Sequence, residues 1–421
     1  MSVSRRSPCG LRQKLFPEKW YPGHYEKLGK TDVFTGGGHT TLNSSKLDTV
    51  FAELEATPAL RGIQFSTHWG WIENAAGGPS AWDWTAIDNL VQRLHASRLA
   101  GYHKYLILAI DMETDTVTLD ANELLPHDMR ATGGYTPLVP GYTAYQYAWP
   151  WARAAYHAVN NPEPDGWYIK LWLPYVQARF ASFMEALANH VVPNTDGKTL
   201  DQGDYLIMVM TLESATTGPW DTYQGGSLAT YQDGLVDLIT TIKSKFRRTQ
   251  VTMGLNYTRQ FCEDTIQGLD ELNVGINTPN GNESAGLITT TDPKGILKYY
   301  EDPLIASNYI LMVGQQGDDY KATTGIDARD DKVNLYDFPS YQTLYERARD
   351  TLNAHYIVWQ RVTPFWLGGT YSESINGVTP DPYIWENSDP VSSVLDFLQT
   401  HPAIIADESG GLITTKPTNW I

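Results

Sequence analysis

Cysteine is nearly absent: the chain holds two, Cys9 and Cys262, among 421 residues. At most one disulfide can form, and neither a disulfide framework nor a cysteine-based zinc set is available. Cys9 sits in a polar leader and reads as a free thiol. Long apolar runs are missing too, and no stretch approaches the length of a membrane span. Residues 1–20 carry Arg5, Arg6, Arg12 and Lys14 without the continuous apolar core of a secretory signal. The expected location is therefore cytoplasmic, or outside the cell after lysis, with export by another route left open. Positive charge is also short, with 31 Lys and Arg against 48 Asp and Glu and a net charge of −17. A phosphate backbone is bound by a surplus of Lys and Arg, so nucleic acid is not an expected partner. An anionic membrane surface is disfavoured on the same ground, and neutral or cationic material suits the chain better. No motif implies a metal or an organic cofactor.

What is present is a large, foldable chain. Apolar residues make up 42% and charged residues 19%, which is no composition for disorder. The length suits one sizeable barrel or two ordinary domains. Aromatics are skewed, with 14 Trp and 25 Tyr against 11 Phe. Trp and Tyr combine a flat apolar face with a polar edge, which matches a sugar ring with its C–H face and hydroxyl rim.

Apolar runs alternate with helical patterns along the chain. Strands are expected at Thr31–His39, Arg61–Ser66, Tyr105–Ile110, the run into Glu213, Gln250–Asn256, Val274–Asn277, Ser307–Val313 and Tyr356–Trp359. Between them fall helices at Ser44–Ala56 (with Ser45 as the cap), Trp84–Ala96, Tyr168–Val192, Tyr231–Phe246, Phe261–Leu272 and Ser340–Asn353. A shorter helix, Lys294–Tyr300, is the weakest element. Eight strand candidates alternating with helices predict an α/β fold, a (β/α)8 TIM barrel. An open doubly wound sheet would carry a glycine-rich phosphate turn after its first strand, and Gly36-Gly37-Gly38 lacks that spacing. A stretch rich in Pro, Gly, Tyr and Trp at about 111–165 is too long for a loop and reads as an insertion after the third strand, walling the active face. The expected organisation is a leader over 1–30, the barrel over 31–400 and a C-terminal tail over 401–421 packed on it.

The most informative residue is Glu213, in Asp204-Tyr-Leu-Ile-Met-Val-Met-Thr-Leu-Glu213-Ser-Ala. A buried parallel strand ends there in a carboxylate, and in a barrel the C-terminal strand ends form the active face. A strand-end glutamate paired with a neighbouring Arg or Lys is the other role open to it. Asp111 and Glu113 follow the third strand, where alternation places both on one side. They are read either as a substrate-binding or paired-carboxylate site, or as an anchor for the insertion; Asp111 is taken as substrate-binding.

The stretch Trp69-Gly-Trp-Ile-Glu73, followed by Gly77-Gly78 and Trp82-Asp-Trp84, resembles the second strand end of clan A retaining glycoside hydrolases, notably the β-galactosidase-like families. The resemblance covers about thirty residues locally, and the strand order extends it over 31–400. It implies carbohydrate as the substrate and Glu213, on the fourth strand, as the acid/base. Such enzymes carry Asn before that glutamate, where this chain has Leu212. The resemblance places a second carboxylate after the seventh strand, where Gln315 and Gln316 precede Asp318 and Asp319. Asp318 is the candidate nucleophile, or the base of an inverting enzyme, and Asp319 and Glu283 are the alternatives. Trp359 matches the aromatic that floors the sugar subsite. His68, Trp69, Trp71, Tyr257 and Gln315 complete the expected substrate contacts, with Trp366, Tyr383 and Trp385 as extensions of the cleft, while Glu73 is expected to stabilise the barrel. A glycosidase, expected to retain configuration, is the leading expectation. A glycan-binding barrel lacking the second carboxylate and a structural component of a virion or larger assembly are its rivals.

Overall fold

The computed structural model describes residues 19–35, 39–73, 81–114, 124–129, 136–137, 147–148, 152–155, 166–211, 225–254, 275–278, 300, 307–315, 341–362, 365–368 and 393–417. Eight parallel strands close into a barrel. In chain order they are β1 (Gly23–Leu28), β2 (Leu60–His68), β3 (Tyr105–Asp111), β9 (Leu206–Thr211), β10 (Gln250–Gly254), β11 (Gly275–Thr278), β12 (Leu311–Gln315) and β13 (Tyr356–Gln360). Each pairs with its neighbours in that order, and β13 returns to β1 to close the ring. The chain is thus a (β/α)8 barrel.

Between β3 and β9 the chain makes a second, five-stranded sheet. Its strands are β4 (Glu113–Thr114), β5 (Thr136–Pro137), β6 (Tyr147–Ala148), β7 (Ala152–Ala155) and β8 (Gly166–Ile169), in the order β4-β8-β7-β6-β5. The insertion read from composition is therefore built at least partly of antiparallel strands. One consequence is that Tyr168 and Ile169, expected to open a long helix, instead pair with β7. The helix runs over Pro174–Asn189, with the proline at its first position, where its missing N–H costs nothing.

Two further expectations need correction. The first strand is Gly23–Leu28, not Thr31–His39, so the barrel begins within the stretch expected to be leader; Lys30–Val33 forms a single helical turn. The helix Ser44–Ala56 is capped by Asn43, whose side chain accepts from the Lys46 N–H, and Ser45 lies inside the first turn. The helix Leu228–Lys245 begins with a reciprocal cap, Thr230 N–H to Ser227 Oγ at 3.1 Å and Ser227 N–H to Thr230 Oγ1 at 2.8 Å. Its buried Tyr231, Leu235, Leu238, Ile239 and Ile242 fall three and four apart, which seats one stripe against the sheet.

The barrel has two apolar layers of different character. The lumen is filled by Tyr25, Tyr105, Ile107, Ala109, Met208, Met210, Ile310, Met312, Tyr356 and Val358. The alternate residues of the same strands, such as Ile63, Phe65, Leu106, Leu108, Leu311 and Val313, join the larger core beneath the helices. The N-terminal end of the lumen is sealed. The buried Lys19 ammonium donates to Leu200 O at 3.1 Å, Leu206 O at 2.7 Å and Thr249 Oγ1 at 2.8 Å. Gln250 Nε2 donates to the Tyr356 hydroxyl at 3.0 Å, and Trp20 Nε1 donates to Thr414 O at 2.7 Å.

The C-terminal segment is held by a histidine on the outer face of β1. Trp359 Nε1 donates to His24 Nδ1 at 2.9 Å, so the ring proton sits on Nε2, which donates to Gly410 O at 3.1 Å. Burial lowers the His24 pKa to about 4, with the Gly410 carbonyl acting in the opposite sense. Burial also lowers His355 to about 4. Both rings stay neutral in the folded chain while they would take a proton near pH 6.5 once unfolded. Acid therefore favours the unfolded state: their contribution is complete above pH 6.5 and is lost as the pH falls toward 4. Each ring should cost on the order of 3 kcal/mol across that window. Thermal melts from pH 7 to pH 4 should show the midpoint falling steadily, and His24→Asn should flatten part of that fall. A profile of unchanged slope in the variant would remove His24 from this role.

Candidate active site

The C-terminal ends of the barrel strands bring together a polar set above an apolar lumen. On β2, Ile63 and Phe65 belong to the outer core, so Gln64, Ser66 and His68 face inward. On β3, Ile107 and Ala109 line the lumen and Asp111 continues their face. His68 and Asp111 are partners in the β2–β3 register, which sets them side by side at the mouth. On β1, Tyr25 faces the lumen while His24 and Glu26 face out, so Lys27 faces in. On β13, Tyr356 and Val358 face in, and Gln360 follows them.

Arg361 braces this rim from outside. Its backbone N–H donates to Lys27 O at 3.0 Å, and its guanidinium lies 2.9 Å from Glu26, 3.0 Å from Asp32 and 2.9 Å from Glu53. Trp366 Nε1 also donates to Glu53 at 2.9 Å, which gives that tryptophan a structural role. Glu26 is fully buried, and burial pushes its carboxyl well above the usual range while Arg361 acts in the opposite sense. This network holds the ends of β1 and β13 together, so that Lys27 and Gln360 are presented inward on rigid backbone.

The expected substrate contacts divide. His68 and Asp111 are at the mouth. Trp71 is 7% exposed, with its ring stacked on His39 at 5.6 Å, under the Lys30 ammonium at 5.0 Å and edged by His68 at 4.6 Å. Three other expectations are corrected. Trp69 is fully buried, stacked on Phe183 at 6.0 Å, and donates to Glu73 at 2.8 Å, so it packs the core and offers no sugar face. Trp359 points outward from the barrel, between His24 and Phe397. Gln315 also points outward, with Nε2 3.5 Å from Leu344 O. For both, being at a strand end was the right level but the wrong side. Glu113 is buried, at the start of β4, and accepts from the Tyr231 hydroxyl at 3.3 Å, which separates it from Asp111. Glu73 is held by Arg179, as a stabilising residue would be. Glu213, Asp318, Asp319, Glu283 and Tyr257 lie outside the described residues, as do Tyr383, Trp385 and both cysteines.

Sequence reasoning missed Gln64, Ser66 and Lys27. The first two carry a signal, because Gln64 and Ser66 alternate with the apolar Ile63 and Phe65. Lys27 had none, since its strand was placed elsewhere. Among the described residues, no group of three or more His, Cys, Asp or Glu is arranged to hold a metal ion, and no helix is long and apolar enough to cross a membrane.

No family model matches this sequence, and no curated protein sequence matches it. Solved structures do resemble the fold remotely. Endo-glycoceramidase II from Rhodococcus sp., in a cellobiose-like imidazole complex, aligns over 87% of this chain and 79% of its own at 11% identity and a TM-score of 0.46. A β-galactosidase from the psychrophilic Marinomonas ef1 aligns over 93% and 61% at 8% identity and a TM-score of 0.49. An apo β-glucosidase aligns over 90% and 98% at 13% identity and a TM-score of 0.39. These structural neighbours are glycoside hydrolases; the barrel itself rests on the strand order.

Proposed function

We propose that this chain is a glycoside hydrolase acting on an oligo- or polysaccharide, with Glu213 as general acid/base and Asp318 as nucleophile or base. The observation that carries the reading is the mouth of the closed barrel, where His68 and Asp111 lie side by side above an apolar lumen. Glu213 follows the last residue of β9, Thr211, by two positions in sequence, and active sites of such barrels are built from the segments after the strands. In this role the Glu213 carboxyl protonates the glycosidic oxygen as the bond to the anomeric carbon breaks. Asp318 then either attacks that carbon, giving a glycosyl-enzyme that water hydrolyses with retention, or activates water directly with inversion. Asp111 and His68 would hold sugar hydroxyls beside the reacting centre.

The test is to incubate the chain with a panel of neutral and acidic polysaccharides and to follow new reducing ends. Proton NMR of the first-formed anomer then assigns retention or inversion. Release of reducing ends from any member, lost in Glu213→Gln, supports the reading. Saturable binding of a glycan with no release would favour a binding barrel instead.

A further inference from the structure

Three polar side chains occupy one level of the lumen, just beneath the mouth. Lys27 is register partner to Gln64 on one side and to Gln360 on the other, and all three face inward. Neighbouring strands lie about 4.8 Å apart, so the three side chains start within a span of about 10 Å. Gln64 is 1% exposed, and among the described residues its Nε2 has no hydrogen-bond partner. Ser66, one step nearer the mouth on the same face, has a buried Oγ likewise without a partner among the described residues. Lys27 engages in no ion pair or hydrogen bond of its side chain among the described residues, although the chain holds 48 carboxylates to 31 Lys and Arg. Two rows away on the outer face, Arg361 alone meets three carboxylates. Its inward position keeps the Lys27 ammonium from the described carboxylates that Arg361 meets on the outer face.

Buried donors without acceptors are costly. An ammonium offers only donors, a primary amide adds two, and a hydroxyl adds one. Among the described residues this floor offers donors and no carboxylate partner, and a carboxylate satisfies an ammonium and an amide at once through charge-assisted bonds. The net charge of −17 repels anions at long range. Recognition therefore has to act at contact, inside the mouth.

We propose that Lys27, Gln64 and Ser66 form a carboxylate subsite in the floor of the barrel mouth, and that the glycan this chain takes contains hexuronic acid. This rests on the glycosidase reading and narrows its substrate to acidic glycans. Lys27 sets the charge preference, Gln64 donates the second bond, and Gln360 flanks the pair.

The experiment is calorimetric titration of the full chain with oligosaccharides of glucuronic, galacturonic and mannuronic acid, each against its carboxyl-reduced counterpart of identical linkage. At least one acidic oligosaccharide should bind about 10- to 100-fold more tightly than its reduced form, the range of a charge-assisted pair. Lys27→Met should bring that ratio close to one, and Gln64→Leu should lower the ratio by less. Because the ratio is first read on the unaltered chain, a variant that fails to fold does not blunt the test. Equal or better binding of the neutral forms overturns the carboxylate subsite and leaves the glycosidase reading standing. Binding of neither form, with no reducing ends released from any glycan, overturns both.

Discussion

Glu213→Gln should reduce hydrolysis by about 10²- to 10⁴-fold while leaving glycan affinity within a factor of about two. The amide keeps the size and hydrogen-bonding ability of the carboxylic acid but cannot release a proton to the leaving oxygen. The loss should therefore be largest for an unactivated sugar leaving group and should shrink for an aryl leaving group that departs without protonation. In the unaltered chain, kcat/KM should fall on the alkaline side as the acid deprotonates, and that limb should vanish in the variant. Asp318→Asn is the companion measurement. If Asp318 is the nucleophile or base, its loss should resist the better leaving group, because the second carboxylate is needed whatever departs. An alkaline limb unchanged in Glu213→Gln would move the acid role to another residue.

Arg179→Met should destabilise the fold by about 3–5 kcal/mol, the cost of leaving a buried charge without its partner. Arg179 Nη2 lies 2.5 Å from Glu73 Oε1, and its Nη1 lies 2.5 Å from Asp128 Oδ2. Glu73 is only 2% exposed, and its other oxygen accepts from Trp69 Nε1 at 2.8 Å. One guanidinium on the helix Pro174–Asn189 thus joins the turn after β2 to residues of the insertion. Without it, Glu73 loses its guanidinium partner in the core. Urea unfolding should show the lowered midpoint, and Glu73→Gln combined with Arg179→Met should recover part of the loss. A double variant no more stable than Arg179→Met would assign the cost to packing by the long side chain rather than to the stranded charge.

Seven of the eight strands were legible in sequence because a parallel strand buried on both faces reads as an apolar run, as Tyr105-Leu-Ile-Leu-Ala-Ile110 does. The alternation of such runs with amphipathic stripes, such as Leu47, Val50, Phe51 and Leu54, is enough to specify the barrel. β1 escaped that logic. Gly-His-Tyr-Glu-Lys-Leu reads as polar, yet His24 and Glu26 are fully buried. Their partners, Gly410, Trp359 and Arg361, are more than three hundred residues away, so only the folded chain makes those polar groups tolerable inside.

The site divides along the same line. Sequence locates a residue along a strand, and so it found the level of the mouth. The resemblance makes Trp359 the floor of the sugar subsite, and its place near the end of the seventh strand makes Gln315 an expected contact. The inward side is set by the parity of each strand against its neighbours, which a closed register decides: Trp359 pairs with Glu26 and Gln360 with Lys27. By itself, then, the sequence determined an eight-stranded barrel with an insertion after its third strand and carboxylates following its fourth and seventh. The tertiary structure alone decided which strand-end side chains share the mouth, because that depends on register between strands hundreds of residues apart, and it put Lys27 and Gln64 there in place of Trp359 and Gln315.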